Sequence, residues 1–182
     1  PMDRQVIGGS LLFPIARAKE LLAAYSEISL AAPNELYCDA GMVAPPGGKP
    51  GVFVFDVCYS GPQRDAERAL APLRRLGTPL KDGIAAVDYT KLQRSGDTTD
   101  VRIRGEYMKT GFVNAYPQAL IDAQIEGFQP AEARSTMLFF QHAGGAIGRV
   151  APNATAFPHR HSRLNMLMAA RWDASGEGAE AR

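Results

Sequence analysis

The order of periodicities in the first half of the chain limits its fold more than any other feature. Gln5 to Phe13 (QVIGGSLLF) reads as a strand broken at Gly8-Gly9, and Pro14 stops it and opens a helix. From Ile15 to Ser29, Ile15, Ala18, Leu21, Leu22, Tyr25 and Ile28 recur at helical spacing, with the charged residues largely elsewhere. Glu35 to Ala44 reads as a strand, and Pro45 to Pro50 as a loop of turn formers. Gly51 to Tyr59 is a second strand, apolar enough throughout to sit inside a sheet. Ser60 then caps a helix with apolar positions Ala66, Ala69, Leu70, Leu73 and Leu76; Pro72 bends its last turn and Gly77 ends it. Leu80 to Val87 reads as another strand, weakened by Gly83. This β-α-β-β-α-β order predicts a ferredoxin-like α+β fold, an antiparallel sheet with its helices packed on one face.

The second half extends that sheet. Asp88 to Gln93 reads as one helical turn, and Arg94 to Asp100 (RSGDTTD) as an exposed, mobile loop. Arg104 to Val113 is a strand, Ala115 to Gly127 a helix, and Ala131 to His142 a long strand. A short strand from Ala146 to Val150 and a longer one from Leu164 to Trp172 follow. At least three added strands and one helix make residues 1–172 a single domain, with residues 173–182 (DASGEGAEAR) expected as a disordered tail. No repeat of solenoid length is visible.

Charge narrows the partners. Twenty Lys and Arg against nineteen Asp and Glu leave a net charge of +1, which argues against a grip on nucleic acid or anionic lipid. No apolar run is long enough to span a bilayer. The first residue is Pro1, so the chain is expected to be processed or a piece of something longer. Cys38 and Cys58 flank the Pro45–Pro50 loop. If the strands form a hairpin centred near Gly48, the two thiols fall almost opposite one another and a disulfide is conceivable; the alternative is two buried reduced thiols. The three histidines bring no further ligand types at metal-binding spacing.

Three stretches carry chemistry-bearing side chains. Strand alternation puts Tyr107 and Lys109 on one face, where an ammonium beside a phenol favours the phenolate and equips it to take a proton from an alcohol. The bland alternative is an ordinary surface pair. Gln141-His142 ends an apolar strand at Gly144-Gly145, where backbone can approach a ligand closely; the alternative is a tight connection. Phe157-Pro158-His159-Arg160-His161 forms a loop able to hold an anionic group, or is a solvated basic turn.

Together these stretches resemble the substrate-binding domain of FAD-linked oxidases of the berberine bridge enzyme type. Tyr107-Met108-Lys109-Thr110-Gly111-Phe112 looks like that family's Tyr-x-Lys-x-Gly-Phe strand, and His142 to Val150 like its glycine-bearing strand pair. Ala151 to Arg160, ending Ala-Phe-Pro-His-Arg, resembles the loop that follows, and Leu164 to Trp172 the next strand. The likeness reaches into the first half, at Gly8 to Phe13 and Ala69 to Arg74. It implies a two-part flavoprotein in which FAD carries the redox chemistry and this chain positions the substrate. The partners implied are an FAD-binding domain, in cis or in trans, and a small-molecule substrate. No FAD-binding domain and no terminal Tyr-x-Asn segment is present, so the chain alone is expected to be inactive. By this resemblance Tyr107 and Lys109 look at substrate, Gln141 joining them if its side chain points the same way and His142 then pointing oppositely. His159 and Arg160 approach the flavin edge. The competing reading, a non-catalytic small-molecule-binding module, requires a closed pocket. The oxidase reading requires an open apolar sheet face, which alone would self-associate.

Overall fold

The computed structural model describes residues 4–97 and 104–173. Strands β1 (Gln5–Pro14), β2 (Leu36–Ala44) and β3 (Val52–Tyr59) alternate with helices α1 (Ala18–Ala31) and α2 (Ala66–Arg74). Short strands β4 (Lys81–Asp82) and β5 (Ala85–Asp88) lead into a helical turn, α3 (Tyr89–Gln93). Then come β6 (Arg104–Val113), α4 (Gln118–Gly127), β7 (Arg134–His142), the turn α5 (Ala146–Arg149) and β8 (Leu164–Asp173). One sheet runs in the order β4-β1-β3-β2-β7-β8-β6, with β5 also on β1, and every neighbouring pair is antiparallel. The order β4-β1-β3-β2 is the ferredoxin-like arrangement the periodicities predict, and the later strands extend the same sheet.

The second half also repeats the first, which the sequence reading did not detect. In β1-α1-β2-β3, strand β3 returns to lie between β1 and β2; in β6-α4-β7-β8, strand β8 returns to lie between β6 and β7. The two sets meet at the antiparallel β2–β7 pair, so an approximate two-fold axis passes through the middle of the sheet. The helices keep a faint trace of it. Leu21, Leu22 and Tyr25 of α1 have the spacing of Leu120, Ile121 and Gln124 of α4, and Leu21, Leu22, Tyr25, Ile121 and Gln124 are buried.

Helices α1, α2 and α4 share one face. Leu11 and Phe13 of β1, Phe53, Phe55, Val57 and Tyr59 of β3, Ala40 and Met42 of β2, and Leu138 and Phe140 of β7 point to it. They form one core with Leu21, Leu22, Tyr25, Leu70, Leu73 and Ile121. Period-two alternation sends the intervening residues to the opposite, open face. There the α3 turn covers β1, with Leu92 packed over Gly8.

Several local expectations are corrected. Leu80 to Val87 is two strands, because the Gly83 carbonyl packs against Gly9, at φ +138°, where any side chain would collide, while the Gly83 N–H donates to the Ser10 carbonyl. Ser60 does not cap α2; its Oγ donates to the Glu35 carbonyl, and a short 3-10 turn, Gln63–Asp65, comes between. The expected strand from Ala146 to Val150 is instead a helical turn over Ala146–Arg149. Helix α4 begins at Gln118, three residues later than the expected start at Ala115, with Pro117 as its N-cap. The β2–β3 hairpin is centred between Gly47 and Gly48, half a residue from the expected point, so Cys38 faces Val57 and Cys58 faces Tyr37. That shift sends the two thiols to opposite faces, and both are free. Arg94–Gly96, the start of the expected loop, is a 3-10 turn; residues 98–100 of that loop, and the tail after Asp173, lie outside the described residues.

Candidate functional site

Polar side chains within an apolar sheet mark the open face. Register sets Ser10, Asp56 and Asp39 abreast on β1, β3 and β2, and Gln141, Asn165 and Phe112 abreast on β7, β8 and β6. Adjacent members bond to one another: Ser10 Oγ donates to Asp56 Oδ1, and Asn165 Nδ2 donates to Gln141 Oε1 at 2.8 Å. Between these pairs the β2–β7 ladder has ended, and Asp39 Oδ1 instead accepts the His142 backbone N–H at 2.9 Å. Tyr37 Oη donates to Asp39 Oδ2 at 2.7 Å. One polar row therefore crosses five of the six long strands and ends at Phe112 on β6, and Asp39 joins its two halves.

Apolar groups flank the row. Gly41 has no side chain, so the Phe139 ring lies across β2 at that point; a Cβ there would stand 2.6 Å from both Phe139 Cδ1 and the Leu138 carbonyl. Met108 and Phe112 on β6 share this face and are exposed. The loop between α5 and β8 folds over Phe112: His159 stacks on its ring at 4.3 Å and 16°, and Phe157 meets it edge-on at 5.6 Å. The Arg160 guanidinium lies 5.0 Å from the Phe157 ring centroid and donates to Thr155 Oγ1. His159 and Arg160 thus form a rim at the β6 end of the open face.

The electrostatics follow from burial. Asp39 is 8% exposed, and desolvation raises its pKa from 3.8 to about 6, opposed by the Tyr37 and His142 donors and assisted by Asp56 across the strand pair. Burial, then the Asp39 charge, pushes the Tyr37 phenol above its ordinary value, so it stays a donor at neutral pH. Burial and Arg163 hold His142 below its ordinary value. The Asp39 shift has a pH signature. Because the folded pKa is raised, the folded chain binds this proton more tightly than the unfolded chain does. Asp39 therefore favours the fold most below about pH 4, and that contribution is lost as pH rises through about 6, on the order of 3 kcal/mol in all. The Asp39→Asn variant should show a flatter dependence of unfolding free energy on pH between about 4 and 6; an unchanged slope would place the carboxylate in a less desolvated setting.

The residues singled out from sequence divide between the two faces. Tyr107 and Lys109 do share a face, with the Lys109 ammonium 5.8 Å from the Tyr107 ring centroid. That face is the helical one, where both line a groove beside α4 with Leu120, Gln124, Met166 and Met168. Gln141 points to the open face, so it does not join them: the sheet lies between. His142 points opposite to Gln141 and lines a cavity with Asn34, Gly144, Gly145 and Arg163. Tyr37, Asp39, Asp56 and Asn165 were not picked out. Their signal was present, as a single carboxylate in each of two otherwise apolar strands, but reading it needed the hairpin register to the half-residue. Among the described residues no group of three or more His, Cys, Asp or Glu side chains is placed to hold a metal, and no helix is long and apolar enough to cross a membrane.

No family model matches the chain. Solved structures do share its architecture. A chitooligosaccharide oxidase superposes with a TM-score of 0.75 at 18% identity, over 97% of this chain and 40% of its own. Berberine bridge enzyme superposes at 0.74 and 14% identity, over 97% and 37%. The fold is that of one part of a berberine bridge enzyme-like FAD-linked oxidase. A berberine bridge enzyme-like protein of Arabidopsis thaliana gives 0.75 at 16% identity, over 98% and 39%. Among curated proteins, an FAD-linked oxidoreductase of Aspergillus fumigatus is 25% identical over 162 residues. That match takes in 74% of this chain and 32% of the relative, so the chain spans about a third of that relative's length.

Proposed function

We propose that this chain is the substrate-presenting part of an FAD-dependent oxidoreductase, and that its open face turns toward the flavin. The observation that carries the reading is the open face itself: one polar row flanked by apolar side chains, in a fold shared with FAD-linked oxidases. Being a shelf, not a closed cavity, it favours this reading over a self-contained binding module. The residues fit the group in one sense only. The apolar surface and the Phe112–His159 stack suit a flat ring laid against them, whereas no phosphate-cradling glycine segment is present to hold the dinucleotide. When bound, the flavin supplies the hydride acceptor for oxidation of an alcohol, sugar or similar small molecule.

The chain's own residues orient substrate and move a proton. The Asn165 amide fixes the Gln141 carbonyl, which leaves the Gln141 Nε2 donors for a substrate oxygen. Tyr37 Oη takes the substrate hydroxyl proton while passing its own to Asp39 Oδ2, 2.7 Å away. Asp39 accepts only when ionised, so turnover rises as pH climbs through about 6. His159 and Arg160 border the flavin-facing edge. Tyr107 and Lys109 lie beneath the sheet and do not touch the same molecule as Gln141.

Measured in the complete protein, Tyr37→Phe and Gln141→Leu should each lower kcat/KM about 10²-fold with the flavin still bound. Tyr37→Phe should also remove the limb near pH 6. Variants within two-fold of the parent would move the substrate off this face.

A further inference from the structure

The approximate two-fold axis leaves one half of the sheet better furnished than the other. In the first half β3 is followed by α2 and β4. Helix α2 sends Ala66, Leu70 and Leu73 into the core, and β4 pairs with β1 at the sheet edge. Under α1 and α2 together, Leu11, Phe13, Phe53 and Phe55 are at most 1% exposed. In the second half α4 occupies the place of α1, but no described element occupies that of α2 or β4. The strand positions such a helix would cover are accordingly open: Tyr107 is 46% and Met168 38% exposed. Beside them runs a groove of about 420 Å³ between α4 and β6–β8, floored by Met166, Met168 and Ala170 and bordered by Leu120 and Lys109. Gly111, on the same face of β6, has nothing within 4 Å of where a side chain would stand. The outer edge of β6 pairs with no described strand.

We propose that this groove, with the free edge of β6, receives a helix-then-strand segment of the complete protein that follows β8, the counterpart of α2 and β4. Groove and edge are adjacent and stand to β8 as the α2 and β4 positions stand to β3, so one continuous segment fills both. The chemistry of that segment is set by the surface. Its helix carries an apolar stripe at the spacing of Ala66, Leu70 and Leu73, and a carboxylate for Lys109. Residues 174–182 (ASGEGAEAR) hold no large apolar side chain and do not supply that stripe. A second copy fits less well. Pairing two β6 edges about a two-fold axis seats no apolar helix in the groove, and Lys109 and Glu106 in that strand oppose edge-to-edge association.

The test compares thiol reactivity in the 182-residue chain and in the complete protein. Met168→Cys is made in a Cys58→Ser background, with Tyr107→Cys as a second position should the first disturb folding. The introduced thiol should react with a maleimide at the rate of an exposed thiol in the 182-residue chain, and at least ten-fold more slowly in the complete protein. Amides of β6 should gain hydrogen-exchange protection in step. Equal reactivity in both proteins would overturn the proposal. So would slowing in the 182-residue chain that appears only as its concentration is raised, which would make the occupant a second copy. The readout needs no flavin. A colourless complete protein with a shielded thiol would remove the oxidase reading and leave this one standing, and a flavoprotein with a reactive thiol would do the reverse.

Discussion

The Tyr25→Ala variant should lose about 4–5 kcal/mol of stability, the largest effect of any single truncation at the seam between the two halves. Tyr25 is fully buried, and its ring packs against Phe55 and Phe140. Its hydroxyl contacts the Cys38 carbonyl at 3.0 Å and the Phe140 carbonyl at 3.3 Å, one on β2 and the other on β7. Those strands are where the first half meets the second, so one side chain spans the junction. Truncation leaves a cavity and strips a partner from buried carbonyls. For a domain of this size the melting temperature should fall by roughly 8–20 °C. Tyr25→Phe isolates the hydroxyl and should cost about 1–2 kcal/mol. Denaturant unfolding followed by circular dichroism measures both. If Tyr25→Ala lost less than Tyr25→Phe is expected to, the two halves would not be joined as described.

Gly41→Val should be nearly as damaging, at about 3 kcal/mol, and should disturb the candidate site as well. Gly41 lies on β2 opposite Phe139. A Cβ placed on it would stand 2.6 Å from the Leu138 carbonyl, which is backbone and cannot rotate aside, and 2.6 Å from the Phe139 ring, which can. The ring would be driven off its place on the open face beside the polar row. Phe139→Ala in the Gly41→Val background should recover part of the lost stability by relieving the ring contact. It should not recover all of it, because the carbonyl remains. A Gly41→Val chain as stable as the parent would show that β2 and β7 are not that close.

The fold of the first half was legible because each element carries its own punctuation. Pro14, Pro33, the Pro45–Pro50 loop and Gly77 separate runs of distinct period, and the order of those runs fixes the ferredoxin-like topology. The bounds of β6 were legible for the same reason. The internal two-fold was not, since side chains at matching positions have diverged: Tyr25 of α1 answers to Gln124 of α4, and only the neighbouring Leu21-Leu22 and Leu120-Ile121 still agree. The break at Gly83 needed the close approach of Gly9 from another strand, which no local pattern encodes.

The candidate site was legible in part for a related reason. Alternation within one strand placed Tyr107 with Lys109, and Gln141 opposite His142. Which of those faces carries the helices depends on pairing between strands, and that pairing sets Gln141 on the open face and Tyr107 on the other. The Asp39–Asp56 pair depends on a hairpin register that half a residue of error inverts.

The most direct test of the central claim is the visible absorption spectrum of the complete protein, read with its intact mass and repeated without oxygen after addition of candidate alcohols and sugars. Flavin bands are expected, carried by a polypeptide longer than 182 residues or by a co-purifying flavoprotein, and they should bleach with at least one of these compounds. A colourless product that ends at Arg182 and co-purifies with no flavoprotein would contradict it.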